Sequence, residues 1–167
     1  MNNSECWAPV IKFVEDQYDK YLDAETRVNR VPIPDSRVHA CLYFVAPTGH
    51  CLKPLDVEFM KRIHERVNII PVIGKADTMT PEELSRFKIQ IMKQIAEAQI
   101  EVYQFPQERP LGQVGQDVSS SRAKLPFAVV GSNCVLDIDG EKIRGRRYPW
   151  GVVNVSSYRE TFMVCFC

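Results

Sequence analysis

The chain is poor in several features that would assign it quickly to a class. Its six cysteines, Cys6, Cys41, Cys51, Cys134, Cys165 and Cys167, form no CxxC pair, so a zinc site lacks the short-spaced ligands it needs. Acidic and basic side chains balance at 21 each, and no global field draws the protein to nucleic acid or to an anionic membrane. No basic start followed by an apolar centre opens the sequence; together with the scattered cysteines this reads as a reduced, cytosolic protein. Nothing matches GxxxxGK[ST], the loop whose amides, lysine and hydroxyl cradle a triphosphate and its magnesium. A literal Asp-x-x-Gly, Asp137 to Gly140, lies between two strand-like runs, where a hairpin turn is the plainer account.

What is present suits one domain with a single core, since 167 residues are 45% hydrophobic. Trp7, Val10, Val14, Tyr18 and Tyr21 recur at helical spacing and predict a helix from 4 to about 25, capped by Ser4. Val31-Pro-Ile-Pro-Asp reads as a loop, and VHACLYFVA, Val38 to Ala46, as a strand buried on both faces. Leu55, Phe59 and Ile63, with Met60 and Val67 beside them, predict a helix from about Pro54 that leads into a second buried strand, VNIIPVI. Thr80-Pro81-Glu82-Glu83 is a capping box, and Leu84, Phe87, Ile91, Ile95 and Ala98 give the helix it opens an apolar stripe. IEVYQF is expected as a short strand, and 106–124, rich in Pro, Gly, Gln and Ser, as a mobile surface loop. LPFAVVGSN is a third buried strand, after which CVLDI and EKIRG flank the turn dipeptide Asp139-Gly140. Strands alternating with helices imply an α/β fold, a parallel sheet with right-handed crossovers, and a β-hairpin appended to it.

In such sheets ligands sit at the carboxyl ends of the strands, where Gly74-Lys75-Ala76-Asp77 and Val130-Gly131-Ser132 both fall. An ionised Asp77 only accepts hydrogen bonds; guanine offers two parallel N–H donors on one edge and adenine does not, so a carboxylate there would tell the bases apart. Lys75 could lay its carbon stem along the base. The spacing describes equally well a strand that ends in a lysine, followed by an aspartate capping the next turn.

The segments CWAPV, PDSRVHACLYFVAPTGHCLKPLDVEFMKR, VNIIPVIGKADTMTPEE, LPFAVVGSN and IRGRRYPWGVV, from Asn3 to about Val155, together resemble the septin family. ETRVNR, NIIPVI and EVYQFP make the chain most similar to the septin-seven type. The resemblance implies a partial Ras-like three-layer G domain over 1–155, parallel strands with flanking helices, in which 133–155 form the septin-unique hairpin. Lys75, Ala76, Asp77 and Thr78 would hold the guanine base, Gly131 would meet it through its backbone, and Arg146 of Arg-Gly-Arg would lie against the nucleotide. Gly74 departs from the alanine usual in septins, so a slightly looser loop is expected. The family's phosphate loop and switches lie upstream of the residues matched by Asn3-Ser4-Glu5-Cys6-Trp7. Only the guanine side of a GTP/GDP site is therefore expected. Magnesium binding and hydrolysis by this chain alone are not, and no catalytic residue is assigned.

Three further residues take roles from the same resemblance. His50, otherwise a loop histidine, would reach across to the nucleotide of a neighbouring subunit. Trp150, otherwise core, would pack at that subunit interface, and Glu83 would join the interface beside its capping role. The implied partners are other septins, met through the nucleotide side in cytoplasmic cytoskeletal filaments with a role in cytokinesis. No nucleic acid is expected as a partner, and membrane association finds no support, because the basic lipid-binding segment of septins precedes the G domain. Residues 156–167, SSYRETFMVCFC, diverge where family members continue into an acidic segment, a long helix and often a coiled coil. Two alternatives stand beside the filament reading: a piece of a full septin that hydrolyses GTP slowly, and a non-hydrolysing module that caps septin polymers.

Overall fold

Residues 5–28, 32–105, 125–138, 141–149 and 151–155 are described by the computed structural model of the protein. Their elements run α1 (Ala8–Glu25), β1 (Ala40–Val45), α2 (Pro54–Ile63), β2 (Asn68–Ile73), a 3₁₀ turn (Ala76–Thr78), α3 (Pro81–Glu97), β3 (Phe127–Ala128), β4 (Val135–Ile138), β5 (Glu141–Tyr148) and β6 (Gly151–Asn154). One sheet has the order β1-β2-β3 and is wholly parallel, with Ala40 opposite Asn68, Val45 opposite Ile73, and Val72 opposite Phe127. The helices that follow β1 and β2 supply the long crossovers parallel pairing demands. The other sheet is an antiparallel meander, β4-β5-β6.

Alternation along the strands decides what meets the helices. Val45, Ile69 and Ile73 join Val14 of α1, Met60 and Ile63 of α2, and Leu84, Phe87, Ile91 and Ile95 of α3 in one buried cluster. Each large side chain removed from water there contributes about 1.5–3 kcal/mol. Polar contacts set the helices on the sheet: Tyr43 donates to Asp56 Oδ1 at 2.8 Å and stacks on Phe59, and the Leu52 amide donates to Gln94 Oε1 at 2.8 Å.

Several details differ from the sequence expectations. Helix α1 starts at Ala8, because Pro9 suits only the first turn; Ser4 lies outside the described residues. Strand β1 is not buried on both faces: Cys41, Tyr43 and Val45 face the core, while Leu42 and Phe44 are 39% and 54% exposed. Near-continuous hydrophobicity states that a strand is apolar but not that both faces are covered. In α2 the buried pair is Met60 and Ile63, and Leu55 is exposed. IEVYQF forms no strand. Its Tyr103 N–H donates to Ile69 O at 2.9 Å, and the rings of Tyr103, Phe105 and Phe127 pack edge to face. The third core strand is only two residues long, continued by the Val129 N–H bond to Ile73 O at 2.9 Å. The hairpin gains a third strand, β6. Its crowded crossing is at Gly145, where an added Cβ would lie 2.8 Å from Val153 O. The expected loop at 106–124, the Asp139-Gly140 turn and the tail at 156–167 lie outside the described residues.

Candidate functional site

Strand β2 ends in a turn that the backbone holds from three sides. Gly74 N–H donates to Val45 O at 3.1 Å and Ala76 N–H to Val129 O at 3.2 Å, tying the loop to the strands on either side. Lys75 sits between them at φ 52°, ψ 46°, a left-handed conformation that costs a non-glycine residue roughly 1–2 kcal/mol. That reversal lets Ala76–Thr78 close a 3₁₀ turn on Lys75 O, which accepts from Thr78 N–H at 3.1 Å and from Thr78 Oγ1 at 2.9 Å. Ala76 is fully buried and anchors the turn. Strained backbone of this kind persists where its surroundings over-determine it, as they do here, and it concentrates at ligand sites.

Asp77 is the chemically conspicuous member. The residue is partly exposed, yet its side chain is 0% exposed. Its Oδ2 accepts from Arg146 Nη1 at 3.3 Å and from the Tyr148 hydroxyl, while its Oδ1 is buried with no hydrogen-bond partner. A buried acceptor left bare costs about 1–3 kcal/mol. Arg146 also donates from Nε to Gly131 O at 2.7 Å, so one guanidinium joins the β2 loop to the loop after β3. The Tyr148 hydroxyl, with Asp77 adding to it, raises the Arg146 pKa above its ordinary value. Ser132 Oγ donates to Gly145 O at 2.6 Å and completes the seam between the parallel sheet and the meander.

Beside this seam is a cavity of about 470 Å³ whose walls include Phe44, Pro47, Gly74, Lys75, Val130 and Gly131. Its lining is apolar in the main, with backbone polar groups and one lysine, the usual make-up of a small-molecule site. Asp77 does not line it. An added Cβ at Gly131 would meet nothing within 4 Å, so backbone can be approached closely there.

The structure thus brings Lys75, Ala76, Asp77, Thr78, Gly131 and Arg146 to one end of the sheet. Glu83 stands at the start of α3, where its Oε2 accepts from Thr80 N–H at 2.9 Å and its own N–H donates to Thr80 Oγ1 at 3.3 Å. His50 is exposed on the loop after β1, and Trp150 lies outside the described residues. Tyr148 was not among the expected site residues. Its signal was the two-residue step from Arg146, which on a strand places both side chains on one face.

The Septin family model matches residues 1–164. The chain is 49% identical over 158 residues to Protein peanut of Drosophila melanogaster, an alignment covering 94% of this chain and 29% of that protein. To Septin-4 of Rattus norvegicus it is 46% identical over 162 residues, covering 94% of this chain and 35% of the relative. Among solved structures, Cdc11 from Saccharomyces cerevisiae superposes with a TM-score of 0.61 at 38% identity, over 78% of this chain and 58% of that one. The chain spans about a third of the length of the curated relatives it matches, and these relatives fix the family without selecting a subgroup. With a family match over nearly all of its length and an α/β fold shared with a septin structure, the protein belongs to the septin family.

Proposed function

We propose that this chain supplies the base-reading half of a guanine-nucleotide site and, through the same face, an assembly surface for other septins in cytoplasmic, cytoskeletal filaments. The observation that carries the reading is Asp77: a carboxylate at the carboxyl end of a parallel strand, its side chain fully buried, with one oxygen lacking a donor. A guanine edge supplies two parallel N–H donors. The residues fit that edge. Asp77 would accept from it, the Lys75 stem would flank the base, Ala76 and Thr78 would shape the turn, Gly131 would offer backbone, and Arg146 would lie against the nucleotide from β5. His50, Glu83 and Trp150 would belong to the subunit interface. On this reading 1–155 are G-domain sequence, 133–155 the septin hairpin and 156–167 a divergent tail. The four cysteines among the described residues are free thiols, as suits a reduced compartment.

Base contacts alone, each charge-assisted bond worth about 1.5–3 kcal/mol against the cost of association, support roughly millimolar affinity. Asp77→Asn replaces one acceptor oxygen by a donor, and an amide cannot accept both guanine N–H groups. NMR titration of the full chain with GDP and with ADP is expected to show a GDP preference in the parent and none in Asp77→Asn. A variant that keeps the preference would remove Asp77 as the reader.

A further inference from the structure

Strand β2 has six residues, so about 20 Å separates its two ends. The base site lies at the carboxyl end. The amino end, at Asn68, borders a cavity of about 520 Å³ whose walls also include His64 from the end of α2, Met92 and Ile95 of α3, and Ile100, Glu101 and Tyr103 from the segment after α3. Backbone bonds fix these walls: His64 N–H donates to Met60 O at 3.0 Å, Ile100 N–H to Ile95 O at 3.1 Å, and Tyr103 N–H to Ile69 O at 2.9 Å. The chain reverses after α3 at Gln99, whose φ of 57° is unfavourable to a residue with a Cβ. Like that of Lys75, this strain persists because its surroundings hold it, and it lies next to a cavity. The lining has one sign of charge. Among the described residues that line it there is no lysine or arginine, and Glu101 is the one carboxylate. Ile95 and Ile100 are buried and with Met92 form an apolar floor. The wall is also incompletely satisfied, since Nδ1 of His64 is buried without a hydrogen-bond partner.

We propose that this cavity is a binding site for a small organic ammonium ion, with the cationic head on Glu101 and an aromatic or branched apolar body on Met92, Ile95 and Ile100. Its size, its apolar floor and its few polar groups are those of a small-molecule site. An ammonium carries three N–H donors: Glu101 accepts one, and the Tyr103 oxygen or a ring nitrogen of His64 is placed in the same wall to accept another. A bond to the carboxylate is charge-assisted and stronger than a neutral one, whereas an anion is repelled. A free amine and a lysine of another protein share this chemistry. The lysine arm is a single methylene chain, and it would leave most of so broad a cavity unfilled. The site lies apart from Asp77 and stands whether or not Asp77 reads a base.

NMR titration of the full chain, labelled at its methionine methyl groups, compares 2-phenylethylammonium with neutral 2-phenylethanol and anionic 3-phenylpropionate, probes of similar shape. On the unaltered protein the ammonium is expected to shift the Met92 methyl resonance saturably and to bind about five-fold more tightly than the alcohol, the gain of a charge-assisted bond over a neutral one. The anion is expected to bind more weakly than either. Glu101→Gln, at an exposed position, is expected to remove the preference for the ammonium. Glu97→Gln, which alters a nearby carboxylate outside the lining, is expected to leave it within about two-fold, because solvent and salt screen such a charge. Nα-acetyl-lysine N-methylamide is expected to bind more weakly than 2-phenylethylammonium. Equal affinity for the three probes, a loss shared by both variants, or no saturable shift at Met92 would overturn the site. Tighter binding of the lysine probe would overturn the free amine as its occupant.

Discussion

Lys75 and Gly74 show how single positions shape the site. Lys75 adopts φ 52°, a region where glycine would be at ease, and the glycine sits one residue earlier, where no positive φ requires it. A Cβ added at Gly74 would lie 3.6 Å from Phe44 Cδ1, an ordinary contact. The family resemblance places alanine there, and the structure has room for it. Gly74→Ala is expected to stabilise the protein by about 0.5 kcal/mol, because alanine loses less backbone entropy on folding at a conformation it tolerates. Denaturant unfolding would show a higher midpoint at unchanged slope; a lower midpoint would mean that the β2 turn depends on glycine. Lys75, Asp77, Gly131 and Arg146 could be named from the order of residues, because their motifs are local or carried by the resemblance. The state of Asp77 could not: that one oxygen is occupied and the other bare depends on Arg146 and Tyr148, about seventy residues away along the chain.

Helix α3 illustrates how much of an element can be written locally. Thr80-Pro81-Glu82-Glu83 forms both reciprocal bonds of a capping box, since each partner lies within one turn of the other and needs no help from the rest of the fold. Accepting the Thr80 backbone N–H, then its side chain, holds the Glu83 carboxyl below its ordinary value near 4.5. A depressed folded pKa means that the contribution is complete above the unfolded value and is lost as pH falls through the folded one. Between about pH 6 and about pH 3 the parent's melting temperature should therefore fall further than that of Glu83→Gln, whose amide cannot titrate. Parallel melting curves would show that the ionisation of Glu83 contributes nothing, since glutamine can still accept from Thr80 N–H. Helix α1 behaved otherwise, starting at Ala8 with no side-chain cap. IEVYQF has strand composition but forms no strand, an outcome that depends on its neighbours in space and not on local pattern.

The arrangement of elements leaves β1 at the margin of its sheet. Among the described residues no strand pairs with its outer side, and Leu42 and Phe44 stand exposed on the face away from the main cluster. An apolar edge without proline or a charge inward of it is a template for other chains. In solution the isolated chain is expected to self-associate, and Leu42→Lys to shift it towards monomer. Light scattering is the measurement: a parent that runs as a monomer of 19.2 kDa and melts cooperatively would show that β1 is covered some other way.

The order of residues was enough for the α/β class, for the helices α2 and α3, for the parallel strands β1 and β2, and for the family. Each of these rests on periodicity, caps and contiguous motifs, and such signals act over a few residues. Other features arose only from packing. The open face of β1, the third strand of the meander, the bond from Tyr103 N–H to Ile69 O, and the sharing of Asp77 between Arg146 and Tyr148 all depend on which distant surfaces meet. Hydrophobicity states that a side chain seeks cover, and charge states that it seeks a partner. Neither states which partner the folded chain will bring within reach.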